Sequence, residues 1–85
     1  MKRLDAKVAI VTGGGDGIGR ATCLRLAEEG AAVVVADIDE QAGTDVAEEI
    51  GAAGGFGLFI HTDTSNEQSV QSMVAGTIEE FGKID

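Results

Sequence analysis

The chain has 85 residues, with fifteen acids against six bases and a net charge of −9. That length suits one small domain with a thin core, and that charge argues against nucleic acid and anionic membrane surfaces as partners. Cys23 is the single cysteine and His61 the single histidine, so an internal disulfide is excluded and no zinc-binding pattern is present.

The opening "MKRLDAKVAIVTG" carries early positive charge, but its apolar run, Val8 to Thr12, is only five residues long. That is too short for the core of a signal peptide, and no run elsewhere reaches membrane length. The expectation is a soluble protein of a reducing, cytoplasmic compartment. Cys23, set among apolar residues, reads as a small core residue rather than a reactive thiol.

Three β-branched or apolar runs are predicted strands: "VAIVT" (8–12), "AAVVVAD" (31–37) and "GLFIHTD" (57–63). The first two are apolar at nearly every position, the pattern of strands buried on both faces in a parallel sheet. Helical periodicity lies between and after them. Thr22, Cys23, Leu26 and Ala27 form one face counted from Gly19, and Gly30 is placed as the cap. A second helix starts at Asp39 as N-cap and buries Ala42, Val46, Ile50 and Ala53, with Gly43 weakening it by about 1 kcal/mol relative to alanine. A third is placed by Ser65 and Gln68 at capping-box spacing. It buries Val70, Met73, Val74, Thr77, Ile78 and Phe81, and Gly82 ends it. The paired acids Glu28-Glu29, Glu48-Glu49 and Glu79-Glu80 read as solvated helix faces. The order β-α-β-α-β-α predicts an α/β domain with a parallel sheet, and "KID" (83–85) is placed as the opening of a fourth strand.

The stretch "TGGGDGIG" (12–19) joins the first strand to the first helix, where free N–H groups and a partial positive charge favour an anion. Its spacing decides which anion. Gly14 to Gly19 match the glycines of a P-loop, but Arg20 and Ala21 follow, and alanine has no hydroxyl for magnesium. The G-x-G-x-x-G fingerprint fails as well, because Ile18 or Arg20 falls at its third glycine. The remaining pattern is T-G-x-x-x-G-x-G, carried by Thr12, Gly13, Gly17 and Gly19. Gly13 would permit the turn off the strand, Gly17 the approach of a pyrophosphate, and Gly19 close packing of helix on sheet. An ordinary glycine-rich turn would explain the loop alone. Asp37, closing the second strand, and Asp63, closing the third, share its edge of a parallel sheet and favour a dinucleotide site, with Asp37 accepting from the adenosine ribose.

With these residues in place the sequence resembles the short-chain dehydrogenase/reductase family, from Lys7 onward. The resemblance is carried by Thr12-Gly13-Gly14-Gly15-Asp16-Gly17-Ile18-Gly19, by Asp37, by Asp63-Thr64-Ser65 and by "FGKID". It implies the N-terminal half of a Rossmann-type doubly wound sheet over residues 1–85. The residues it implies for the cofactor are Gly13, Gly15, Asp16, Gly17, Ile18 and Gly19 at the pyrophosphate and ribose. Asp37 and Ile38 would hold the adenosine ribose, and Asp63 and Thr64 would sit at the adenine. Thr64 departs from the aliphatic residue usual in the family. The family's catalytic serine and Tyr-x-x-x-Lys have no counterpart, and the chain contains no tyrosine, so no catalytic or metal-binding residue is assigned.

The resemblance therefore implies the cofactor half of a longer oxidoreductase. Such an enzyme would pass hydride between NAD and an alcohol or carbonyl carbon of a small molecule, and would be a homo-oligomer at full length. The alternatives are a non-catalytic dinucleotide-binding module or an inactive truncated product. NAD is expected over NADP, because Asp37 and Asp16 would repel a 2′-phosphate and no cation accompanies Ile38 and Asp39. Asp16 also reads as a helix N-cap. His61 and Arg20 receive no role. In the family's strand order the first strand would form an exposed edge in these 85 residues, so the isolated chain is expected to be poorly stable or to associate.

Overall fold

The computed structural model describes residues 4–85. Three strands alternate with three helices: β1 (Val8–Thr12), α1 (Gly17–Glu28), β2 (Ala32–Asp37), α2 (Glu40–Ala52), β3 (Phe56–His61) and α3 (Glu67–Phe81). The strands form one parallel sheet in the order β1-β2-β3. The register sets Val8 opposite Ala32, Ala32 opposite Phe56, and Asp37 opposite His61. Each crossover steps the same way across the sheet, so all three strand-to-helix junctions lie along one edge.

The near-continuous apolar run of β2 follows from its place. It is central, and Val33, Val34, Val35 and Ala36 are each fully buried. Val33 and Val35 pack with Cys23 and Ala27 of α1 and with Val46 and Ile50 of α2. Ile60 points the other way, since its Cδ1 would lie 3.4 Å from a Cβ added at Gly76 of α3. The sheet is thus covered by α1 and α2 on one face and by α3 on the other. Burial pushes the Cys23 thiol up to about 11, which keeps it protonated and inert at neutral pH, in agreement with the core reading.

The helix ends show why these segments stop where they do. Gly30 and Gly54 adopt positive φ of 102° and 91°. After α1, Ala31 N–H donates to Leu26 O and Gly30 N–H to Ala27 O. After α2, Gly55 N–H donates to Ile50 O and Gly54 N–H to Gly51 O. Both are Schellman closures, which glycine enters without a Cβ penalty. Asp39 caps α2 as expected, accepting from Ala42 N–H at 3.0 Å.

Several sequence expectations are corrected. The N-cap of α3 is Asn66, one residue later than Ser65. Asn66 Oδ1 accepts from Ser69 N–H at 2.9 Å, while Ser65 is drawn back to Asp63. Asn66→Ala is therefore expected to cost about 1 kcal/mol of stability in urea unfolding, with Gln68→Ala within about 0.5 kcal/mol of the parent. Equal losses would contradict this capping. Ala53, Thr22 and Ile78 are exposed rather than packed, because each helix buries a narrower stripe than its apolar spacing suggests. β3 ends at His61, so Asp63 lies two residues beyond the strand rather than closing it. Gly43 is buried for a reason the sequence did not show: a Cβ there would run into the ring of Phe59. The helix-propensity cost of this glycine is offset by seating that ring under α2.

The opening of a fourth strand is partly visible. No strand is formed at 83–85, but Asp85 N–H donates to Val8 O at 2.8 Å and Val8 N–H donates to Asp85 Oδ2 at 2.8 Å. These bonds cover the first position of β1, which is otherwise an edge strand. They also hold the Asp85 carboxyl below the usual carboxylate range, chiefly through the Val8 amide, with Lys83 adding to the effect.

Candidate functional site

The carboxyl edge of the sheet carries the glycine loop, the end of β2 and the segment after β3. Gly13 leaves β1 at φ 66°, with its N–H donating to Ala36 O at 2.7 Å. The loop so begins as an extension of the β1–β2 ladder and then turns sharply. Asp16 is the N-cap of α1, with Oδ1 accepting from Gly17 N–H at 2.8 Å, and Asp16 O accepts from Arg20 N–H at 3.1 Å. The N–H groups of Ile18 and Gly19 lie between these two, in a turn where a helix has no preceding carbonyls to offer. Gly17 has φ 53°, and nothing lies within 4 Å of where its Cβ would be, so the backbone faces open space at the helix start.

Close packing forms the rest of the loop. A Cβ on Gly14 would meet Cys23 Sγ at 2.8 Å, and one on Gly15 would meet Gly43 N at 2.7 Å and Asp37 Oδ2 at 2.8 Å. A Cβ on Gly19 would strike the carbonyl oxygen of Gly13. Gly19 thus lets the helix close on its own loop, and the expectation that it packs on the sheet is corrected.

Asp37 ends β2 half-buried. Its Oδ2 accepts from Gly15 N–H at 2.9 Å and its Oδ1 from Asp39 N–H at 2.9 Å. Beside it, Ile38 is 61% exposed, and Ile18 on the loop is 87% exposed. These two exceed every other large apolar side chain recorded as exposed among the described residues, and both flank the same ledge. Asp63 turns toward its own segment: Oδ1 accepts from Ser65 Oγ at 2.6 Å and from Ser65 N–H at 3.0 Å. Those bonds, the hydroxyl first, hold its carboxyl below the usual range, helped slightly by His61. Asp63 N–H donates to Ser69 Oγ at 2.9 Å, which ties the segment to α3. Thr64 is exposed on this edge. Arg20 points away, pairing with the carboxylate of Glu49 on α2 at 2.6 Å. A cleft also lies at the opposite edge, lined by Lys7, Gly54, Phe56 and Phe81, away from the glycine loop and Asp37.

The family model described as short chain dehydrogenase matches residues 7–85. The chain belongs to that family. Among the similar short chain dehydrogenases, astE of Aspergillus oryzae, a short chain dehydrogenase/reductase, is 55% identical over 83 residues, covering 96% of this chain and 32% of its own length. The 2,5-dichloro-2,5-cyclohexadiene-1,4-diol dehydrogenase LinX of Sphingobium indicum is 46% identical over 80 residues, 94% of this chain and 32% of the relative. Among solved structures, a 7α-hydroxysteroid dehydrogenase complexed with NADH and 7-oxo glycochenodeoxycholic acid superposes with a TM-score of 0.95 at 40% identity, covering 98% of this chain and 32% of that one. A short chain dehydrogenase/reductase from Burkholderia phymatum in complex with NAD gives 0.93 at 39% identity, covering 99% and 30%. The chain spans about a third of the length of the curated relatives it matches.

Of the residues expected at the cofactor, Gly13, Gly15, Asp16, Gly17, Ile18 and Gly19 come together with Asp37 and Ile38 on one ledge. Asp63 and Thr64 lie farther along the same edge, on the neighbouring strand's exit. Sequence reasoning missed Ser69 and Gly43 as supports of this edge. The spacing of Asp63 and Ser65 was the available signal for an Asx turn, and a glycine inside a strongly amphipathic helix was the signal for close packing.

Proposed function

We propose that this chain is the dinucleotide-binding half of an NAD(H)-dependent oxidoreductase acting on an alcohol or carbonyl of a small molecule. The observation that carries the reading is the pairing, on one ledge, of the open amides of the α1 N-terminus with the carboxylate of Asp37. Pyrophosphate suits the amides of Ile18 and Gly19 and the partial positive end of the helix. Asp37 keeps acceptor capacity beyond its two backbone bonds, since a carboxylate has about four lone-pair sites, and the ribose hydroxyls would donate to it. The exposed side chains of Ile18 and Ile38 offer apolar cover to the ribose and adenine, and Asp63 and Thr64, farther along the same edge, are the residues proposed to meet the base.

When bound, the cofactor supplies the hydride acceptor or donor. The residues of this chain bind and orient it. The role proposed for them is positioning; the proton-donating tyrosine that the family resemblance implies is not among them. A non-catalytic dinucleotide-binding module uses the same residues and is the second reading; detectable NAD turnover by a protein carrying this half would reject it.

Selectivity for NAD follows from charge. A 2′-phosphate beside Asp37 would meet a carboxylate, with Asp16 and Asp39 nearby and Arg20 held by Glu49. Calorimetric titration is expected to show NAD binding at least about tenfold tighter than NADP, roughly the worth of a 1.4 kcal/mol repulsion. Equal or tighter binding of NADP would overturn the preference.

A further inference from the structure

The Asp37 carboxylate is engaged before any ligand arrives. Its two oxygens accept from amides on two different segments, Gly15 of the loop after β1 and Asp39 of the turn before α2, both at 2.9 Å. Gly15 reaches it only because it lacks a side chain: a Cβ there would lie 2.8 Å from Asp37 Oδ2 and 2.7 Å from Gly43 N. Gly15 is buried, and the bond spans 22 residues of chain. It joins the loop to the neighbouring strand beyond the last ladder bond, Gly13 N–H to Ala36 O.

We propose that Asp37 is a positioning residue for the glycine loop, a tether that fixes the loop against β2 and α2 and so presents the α1 amides to an anion. This deepens the reading of the site as a dinucleotide site and rests on it for the identity of the anion. It assigns Asp37 an effect on groups of the ligand it never touches. A residue that served only as ribose acceptor would leave a ligand without ribose unaffected.

The test uses three forms of the chain, the parent, Asp37→Asn and Asp37→Ala. The two variants carry the same charge, so a difference between them reads the tether and not the removal of a carboxylate from an anion's neighbourhood. Hydrogen exchange of the Gly15 amide is expected to speed up about tenfold or more in Asp37→Ala relative to the parent, the usual scale for a hydrogen bond to a charged acceptor. The amides of Val34 and Val35 should change far less and so report an intact sheet. Asparagine retains one acceptor oxygen, so Asp37→Asn should keep protection at Gly15 or at Asp39 but not both. Where Asp37→Asn keeps the Gly15 bond, inorganic pyrophosphate, followed by amide shifts at Gly17 and Ile18, is expected to bind several-fold more weakly to Asp37→Ala than to Asp37→Asn; where it keeps only the Asp39 bond, the two variants should bind alike and both more weakly than expected of a tethered loop. Unchanged Gly15 exchange in Asp37→Ala with Val34 protected overturns the tether, as does equal pyrophosphate binding by the two variants when Asp37→Asn retains protection at Gly15. If the exchange result holds while no form binds pyrophosphate or NAD, the tether stands and the dinucleotide reading fails. If Asp37→Ala loses protection at Val34 as well, the comparison of Asp37→Asn with the parent at Gly15 and Asp39 decides: loss at one amide supports the tether, and loss at neither overturns it.

Discussion

Replacing Gly19 by alanine is expected to abolish measurable NAD binding and to destabilise the fold. The added Cβ would strike Gly13 O and lie 2.8 Å from Gly13 C and 3.0 Å from Gly14 Cα. All three atoms are backbone, so no rotamer relieves the clash. Gly13 cannot retreat freely, because its N–H is bonded to Ala36 O at 2.7 Å. The loop would have to lift off the helix, at an overpacking cost of about 1–3 kcal/mol, and the Ile18 and Gly19 amides would cease to converge. Gly17→Ala is the informative partner. It meets nothing within 4 Å but must hold φ 53°, a strain of about 1 kcal/mol, and should weaken binding less. Calorimetry with NAD and urea unfolding of both variants check this. Parent-like affinity in Gly19→Ala would be falsifying for the close-packed loop.

The second large effect is expected at Ile50, which is 1% exposed and packs in the cluster of Val33, Val35, Val46, Cys23 and Ala27. Its side chain also lies 3.0 Å from where a Cβ on Gly55 or Gly57 would be, so glycines cannot expand to fill a gap. Ile50→Ala should cost about 2–5 kcal/mol. A domain of this size has roughly 4–13 kcal/mol in total, at about 0.05–0.15 kcal/mol per residue, so the variant would lose a large share of its stability. The measurement is the urea midpoint against that of Ile78→Ala, whose side chain is 48% exposed and whose loss should be well under half as great. Comparable losses at the two positions would show that the core is not centred under α2.

The order of elements was legible because each carries its own period. The unbroken apolar run of β2 reports two covered faces, and the glycines at 30 and 82 end helices by a backbone geometry that glycine favours. The ledge was legible too, since Gly13, Gly17, Gly19 and Asp37 owe their places to the strand-helix junctions. What was not legible involves contacts between distant segments. Gly43 reads as a weak point in a helix until Phe59 is seen beneath it. Ser65 reads as a cap until Asp63 is found to claim its amide and hydroxyl, which leaves Asn66 to cap α3. The bonds from Gly15 to Asp37 and from Asp85 to Val8 span 22 and 77 residues, and no local pattern encodes either.

The strand order has a consequence for how the ledge comes apart. β2 is flanked on both sides and fully buried through Val33–Ala36, whereas β1, among the described residues, has one neighbouring strand and is clasped on its other side only at Val8. Proteins open in cooperative pieces, the least supported first. The glycine loop hangs from the outer strand and Asp37 from the central one, so they belong to pieces of unequal stability. A molecule that spans the α1 amides and Asp37 bridges the two pieces. It binds only when both are closed, and mass action then withdraws chains from the partly opened state. A dinucleotide bound at this ledge would therefore also fasten the sheet's edge, most strongly where the unliganded fold is weakest.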